Sequence, residues 1–192
     1  MRFNPANVIT SCRILLAPVL LVLAWRGLER PFVICLIVSL LSDIVDGQIA
    51  RRFHFASELG TKLDSWADLL TYASVPVAVW WLRPDVVASE KIFFWVAVAS
   101  YVVPVAIGFV RFRQLTSYHT LLARVSAYLL GLAVLVMFLH GPLLPLRIAV
   151  GVLVVAELEE IAITLVLPAP QSNVRHLGRA LRFRRAATPA GR

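Results

Sequence analysis

An all-α integral membrane fold is what this sequence predicts, on three observations. Hydrophobic residues make up 59% of the chain and charged residues only 16%, with mean hydropathy +0.80, far from the usual balance of a soluble domain. The apolar residues recur in six runs, at 9–25, 32–50, 63–82, 92–110, 121–139 and 148–167, each near the roughly 20 residues that a helix needs to cross a hydrocarbon core of about 30 Å. The runs also lack the alternation of barrel strands. Backbone amides in lipid must be paired within their own segment, so helices are selected over strands. A bundle of six transmembrane helices is expected.

The first run follows Arg2 in the manner of a leader. No small-residue cleavage pattern follows Trp25, however, and five further runs come after it, so it reads as a retained span. Pro31, Pro84 and the Gly141-Pro142 pair punctuate short connections, which leave no linker between soluble domains. One membrane domain is expected over residues 1–170. Beyond Pro168 and Pro170 the chain turns polar and arginine-rich, so residues 171–192 read as a basic tail. Within it Leu177, Leu181 and Phe183 are spaced for a short amphipathic helix on an anionic inner leaflet, the alternative being a solvated tail. Cys12 and Cys35 sit in apolar runs and offer neither a disulfide framework nor a metal spacing; both read as packing residues.

A net charge of +8 in a soluble protein would suggest nucleic acid, but here the charge follows the membrane sides. With the N-terminus in the cytoplasm, fourteen of the nineteen Lys and Arg residues fall on that side, leaving Arg26, Arg30, Arg83, Lys91 and Arg147 on the other. The positive-inside rule therefore sets both termini and the connection between the second and third runs in the cytoplasm, as at a bacterial inner membrane, and no nucleic-acid partner is expected.

That connection carries the most informative stretch. Ionisable residues within spans are costly, so each one there is a functional hypothesis. At about 100° per residue, Asp43, Asp46, Gly47, Ala50 and Arg51 share one arc of about 140° on a helix. Gly60, Asp64 and Asp68 follow at four-residue steps on the next. Two antiparallel helices joined by a short loop can turn those stripes toward each other. Four carboxylates so close need a cation to stay ionised, and an all-oxygen donor set selects a hard one, Mg²⁺ or Mn²⁺, in a two-ion site completed by phosphate and water. Gly47 and Ala50 leave room for a flat group, and Arg51 and Arg52 have the fork geometry for phosphate.

This stretch resembles the signature of the CDP-alcohol phosphotransferase family, Asp-x2-Asp-Gly-x2-Ala-Arg-x8-Gly-x3-Asp-x3-Asp. Every fixed position is matched, by Asp43, Asp46, Gly47, Ala50, Arg51, Gly60, Asp64 and Asp68. Asn7, Thr10 and Arg13 fit the Asn, Thr and Arg that the family usually carries before its first span. The resemblance implies a membrane transferase that moves the phosphatidyl group of CDP-diacylglycerol to the hydroxyl of a small polar alcohol and releases CMP. It implies that Asp43, Asp46, Asp64 and Asp68 hold two metal ions, with Asp68 also the base. Gly47, Ala50, Arg51, Ser57 and Gly60 would line the CDP-lipid, with Asn7 and Thr10 capping the nucleotide, and a homodimer is common in the family. Helix capping is the other reading of Ser57, Asn7 and Thr10. For Arg13 it is snorkelling to the inner surface.

The acceptor is less legible. Arg111, Arg113, His119 and Arg124 form a basic stretch suited to a phosphorylated acceptor, glycerol 3-phosphate first, with inositol phosphate, inositol or serine as alternatives. A positive-inside loop is the plainer reading of the same stretch. Phosphatidylglycerophosphate synthases usually show Lys-x-Lys-Thr about here, whereas this chain has Tyr118, His119 and Thr120. Glu157, Glu159 and Glu160 interrupt the last run; Glu157 and Glu160, three residues apart, read as facing inward in a structural ion pair or a substrate contact, and Glu159 as facing elsewhere, toward a subunit interface. From another class, a divalent-cation transporter would use the same acids but would be expected to place them near the midplane between broken helices.

Overall fold

The computed structural model describes residues 5–52, 58–113, 120–167, 178, 180 and 181. Among the described residues the chain is helical, without strands: α1 (Pro5–Trp25), α2 (Glu29–Arg52), α3 (Glu58–Leu82), α4 (Pro84–Ser89), α5 (Lys91–Phe112), α6 (Leu121–Phe138) and α7 (Leu144–Val166). Each apolar run has its helix. The short α4 is additional, in a place where the sequence suggested only a break. Pro84 starts it instead, because at the first helical position proline's preset φ fits and its missing N–H would have had no partner. Arg83, just ahead, donates from Nε and Nη2 to the Asp85 carboxylate at 3.2 and 3.1 Å, and this hydrogen bonding holds the carboxyl below its usual range.

Helices α5 and α6 are each long and apolar enough to cross a membrane; the apolar stretch of α1, Thr10–Trp25, is shorter. Pro18, Pro76 and Pro104 lie inside α1, α3 and α5, as membrane helices tolerate.

The chain divides into two compact units, Met1–Lys91 and Ile92–Arg192. In the first, α1 packs against both α2 and α3. Its buried positions are Thr10, Arg13, Ala17, Leu20 and Ala24, alternating steps of three and four that keep one stripe inward. Facing residues are small (Ala67, Ser74, Ala78) or fully enclosed (Phe32, Leu36). Lipid tails are as apolar as leucine, so burial from lipid drives little; close dispersion contact through small residues holds such helices together. In the second unit α6 packs on α7, enclosing Ser126, Ala133 and Met137 on one helix and Ala149, Leu153 and Ala156 on the other. Ala180 is buried with Ile163 and Leu167, beside Phe112 and Val166, so this described part of the basic tail docks on the end of α7.

The outer surfaces are apolar: Leu15, Ile34, Ile92, Val110, Leu132 and Leu158 are all exposed, which suits contact with lipid. Trp25, Trp80, Trp81 and Trp95 are exposed near helix ends, where aromatic belts form.

Among the described residues a left-handed residue follows three helices, Gly27 after α1, Arg113 after α5 and His140 after α6, and the first and last of these share one pattern. After α1 the Leu28 N–H donates to Leu23 O and that of Gly27 to Ala24 O, both at 3.0 Å, with Gly27 at φ +70°. After α6 the Gly141 N–H reaches Val136 O and that of His140 reaches Met137 O, with His140 at φ 58°. Both are Schellman ends, and the second sets a non-glycine in a conformation that costs it energy.

Candidate functional site

The signature falls at the junction of α2 and α3. Asp43, Asp46, Gly47, Ala50 and Arg51 belong to the last turns of α2, and Gly60, Asp64 and Asp68 to the first turns of α3. The packed stripes lead to them. In α2 the buried positions Phe32, Leu36 and Ser39 continue at the same three- and four-residue steps to positions 43 and 46. In α3 the stripe Ala78, Ser74, Thr71, Ala67 runs back to position 64. Each helix is thus anchored by packing where its stripe is apolar and carries acids where the same stripe approaches the helix end.

Asn7, Asp43, Asp46, Gly47, Ala50, Arg51 and Asp64 are described in backbone alone, all of them helical, and their expected side-chain roles lie outside the described residues, as do Ser57 and His119 altogether. Asp68 is described in full. Arg13 Nη2 donates to its Oδ1 at 2.6 Å across 55 residues of sequence, joining α1 to α3. The Arg13 side chain is 3% exposed and that of Asp68 28%. Arg13 therefore does not snorkel to the surface, as its length had suggested. It occupies the second position of the buried stripe of α1, between Thr10 and Ala17, where the helix carries it inward against α3. The three-and-four spacing of positions 10, 13, 17, 20 and 24 was the signal in the sequence that could have shown this.

The surroundings of the pair are polar. Thr10, one turn before Arg13, is buried. Ser74 Oγ donates to Leu70 O at 2.6 Å, which satisfies it inside the helix. Thr71 Oγ1, one turn beyond Asp68, and Ser39 Oγ, one turn before Asp43, are buried without a hydrogen-bond partner among the described residues. Buried hydroxyls that lack a protein partner mark places where water or a polar ligand completes the structure. Among the described residues no three His, Cys, Asp or Glu side chains converge as metal ligands, and three of the four acids expected to do so lie outside them. The donor chemistry nonetheless fits a hard divalent cation: the signature supplies carboxylate oxygens alone, and Asp68 is pinned yet open to solvent over more than a quarter of its side chain.

The basic residues expected to meet an acceptor lie in the second unit. Arg111 Nη2 donates to Leu165 O and Leu167 O, both at 3.2 Å, meeting carbonyls left open where α7 ends. Arg113 closes α5 at φ 57°, with its N–H on Phe109 O at 2.8 Å, and its side chain is exposed. Arg124 is exposed in the first turn of α6. That helix is capped by Thr120, whose Oγ1 accepts from the Ala123 N–H at 3.1 Å. Glu157, Glu159 and Glu160 are half-buried on α7.

A chain whose described residues are helical, with two helices of membrane length and a carboxylate signature at one helix junction, belongs to a narrow class. The profile of the CDP-alcohol phosphatidyltransferases matches residues 3–167, and the chain belongs to that family. It is similar to a CDP-diacylglycerol–glycerol-3-phosphate 3-phosphatidyltransferase of Salmonella choleraesuis, 30% identical over 93 residues, which cover 43% of this chain and 50% of that one. It is also similar to a cardiolipin synthase (CMP-forming)/mitochondrial hydrolase fusion protein of Schizosaccharomyces pombe, 31% identical over 120 residues, 62% of this chain and 19% of that one. These alignments span half or less of each relative's length. No solved structure matches the chain.

Proposed function

We propose that this protein is a membrane-embedded transferase that moves the phosphatidyl group of CDP-diacylglycerol to an acceptor hydroxyl and releases CMP. The observation that carries it is the complete eight-position signature at the junction of α2 and α3, inside a family match that runs through all the apolar helices. The acceptor we favour is glycerol 3-phosphate, supported by the name of the Salmonella relative. The S. pombe relative favours a second acceptor: forming cardiolipin from a CDP-lipid with loss of CMP requires phosphatidylglycerol as the alcohol.

In this reading six helices cross the membrane, both termini and the acids face the cytoplasm, and the protein works as a homodimer. Asp43, Asp46, Asp64 and Asp68 would hold two Mg²⁺ or Mn²⁺ ions. Ions held there would supply positive charge to offset that of the pyrophosphate and of the departing CMP. Asp68 positions the acceptor hydroxyl and takes its proton as the new bond from oxygen to the lipid-linked phosphorus forms; the bond from that phosphorus to the bridging oxygen breaks, and the oxygen leaves on CMP with the electron pair. Arg51 binds phosphate, Gly47, Ala50, Ser57 and Gly60 accommodate the CDP portion, and Asn7 and Thr10 cap the nucleotide. Arg111, Arg113, His119 and Arg124 are assigned to the acceptor's phosphate.

The test is CMP release by purified protein in detergent micelles with CDP-diacylglycerol, Mg²⁺ and a panel of glycerol 3-phosphate, phosphatidylglycerol, inositol phosphate, inositol and serine. One acceptor should support turnover, and Asp68→Asn should lower it by about 100-fold or more, the usual worth of a general base. No CMP with any acceptor, together with Mg²⁺ or Mn²⁺ flux in proteoliposomes, would establish a transporter in its place.

A further inference from the structure

We infer that Arg13 is a positioning residue for this reaction: through its ion pair it holds the Asp68 carboxylate in the one orientation that receives the acceptor hydroxyl. The inference rests on the transferase reading. It adds a role for a side chain on α1, outside the aspartate signature.

The geometry supports it in four ways. The contact is short, 2.6 Å from Nη2 to Oδ1, just under the roughly 2.7–2.9 Å usual for a charge-assisted N–H···O bond. It joins two helices that pack directly against each other, α1 and α3, so neither partner can drift without disturbing a packed interface. The burial is unequal, with Arg13 3% exposed and Asp68 28%. A guanidinium enclosed to that degree has few rotamers left and acts as a fixed anchor, while the carboxylate it grips stays accessible. Finally, among the described residues Arg13 is the one charged residue on a buried stripe otherwise made of Thr10, Ala17, Leu20 and Ala24. A buried charge in such a stripe is costly unless a counter-charge meets it, and Asp68 is that counter-charge.

Orientation matters here because the residue it fixes has two tasks. A carboxylate crowded by other acids and by cations swings toward whichever charge is nearest. Proton acceptance needs it to point at one hydroxyl, within about 3 Å and along the line of attack. Tethering Oδ1 to an enclosed guanidinium narrows the orientations open to the carboxylate. Such a tether adds nothing to ground-state affinity for the CDP-lipid, so its loss should appear in kcat.

The experiment compares wild type, Arg13→Gln and Arg13→Lys as full-length protein in micelles, reading kcat and KM for CDP-diacylglycerol by CMP release, and Mn²⁺ stoichiometry by electron paramagnetic resonance. Expected for Arg13→Gln is a fall in kcat of about 100-fold with KM within about threefold, the signature of misplacing a reacting group without losing substrate. Mn²⁺ stoichiometry should equal that of wild type. Arg13→Lys, which keeps the charge on a comparable stem, should recover at least about a tenth of wild-type kcat. The inference is overturned if Arg13→Gln turns over at the wild-type rate, if its defect lies in KM, if Mn²⁺ binding is lost with activity, or if Arg13→Lys restores nothing. A wild type that releases no CMP with any acceptor overturns the transferase reading itself and this inference with it, an outcome separate from an active wild type beside an equally active Arg13→Gln.

Discussion

The Arg13–Asp68 pair should be measurable as a coupling energy in stability, independently of turnover. Pairs exposed on both sides couple by about 0–1 kcal/mol, and removing one partner of a fully buried pair costs about 3–5 kcal/mol. Here one partner is nearly enclosed and the other is open over 28% of its side chain, with a 2.6 Å contact between them. An intermediate coupling of about 2 kcal/mol follows. The assay is a double-mutant cycle on Arg13→Gln, Asp68→Asn and the double variant, by thermal unfolding in micelles containing EDTA, followed through tryptophan fluorescence. A chain of this size shifts by about 2–4 °C per kcal/mol, so the two single losses together should exceed that of the double variant by about 4–8 °C. The cycle cancels whatever Asp68 gains when its repulsion by neighbouring acids is relieved, since that term is common to both legs. Raising the salt should leave most of the coupling intact, because the Arg13 end is shielded from solvent ions. A coupling below about 0.5 kcal/mol would refute the reasoning, placing the pair with surface contacts.

Other outcomes follow from the helix ends and the acids. Gly27→Ala should lower stability by about 1 kcal/mol, because φ is +70° there while the space around a new Cβ is open, leaving backbone strain as the sole cost; differential scanning fluorimetry reads it. His140→Gly should do the opposite, raising the melting temperature by up to about 4 °C as the left-handed strain at φ 58° is released against some added chain entropy. If the acids hold metal, EDTA should abolish CMP release, and Mg²⁺ or Mn²⁺ should restore it in full while softer Zn²⁺ restores less than about a tenth.

How much of this was legible beforehand differs by element. The six long helices follow from the apolar runs alone, since composition over some 20 residues dictates a helix in lipid whatever its neighbours do. Helix α4 was missed because Pro84 reads equally as a stop and as a start, and Val86 and Val87, its two buried residues, are too few to show a period. The placing of Asp43, Asp46, Asp64 and Asp68 on two successive helices came from spacing, and the backbone agrees with it. At Arg111 only part of the environment is legible from the sequence. Its charge and place in a basic stretch suggested a phosphate partner, and nothing local could reveal that Leu165 and Leu167, more than 50 residues on, offer it carbonyls at the end of α7.

By itself the sequence determined the helical membrane architecture and the acid signature, because both are written in local spacing: the length of apolar runs, and carboxylates at three- and four-residue steps. Only the tertiary structure decided what the inward face of α1 meets, and with it the fate of Arg13. A long cation near a membrane surface has two low-energy outcomes, solvent or a buried counter-charge. The choice between them depends on whether an acid from a distant segment is packed within reach. Here Asp68 is, because the small residues of α1 and α3 let the two helices approach closely.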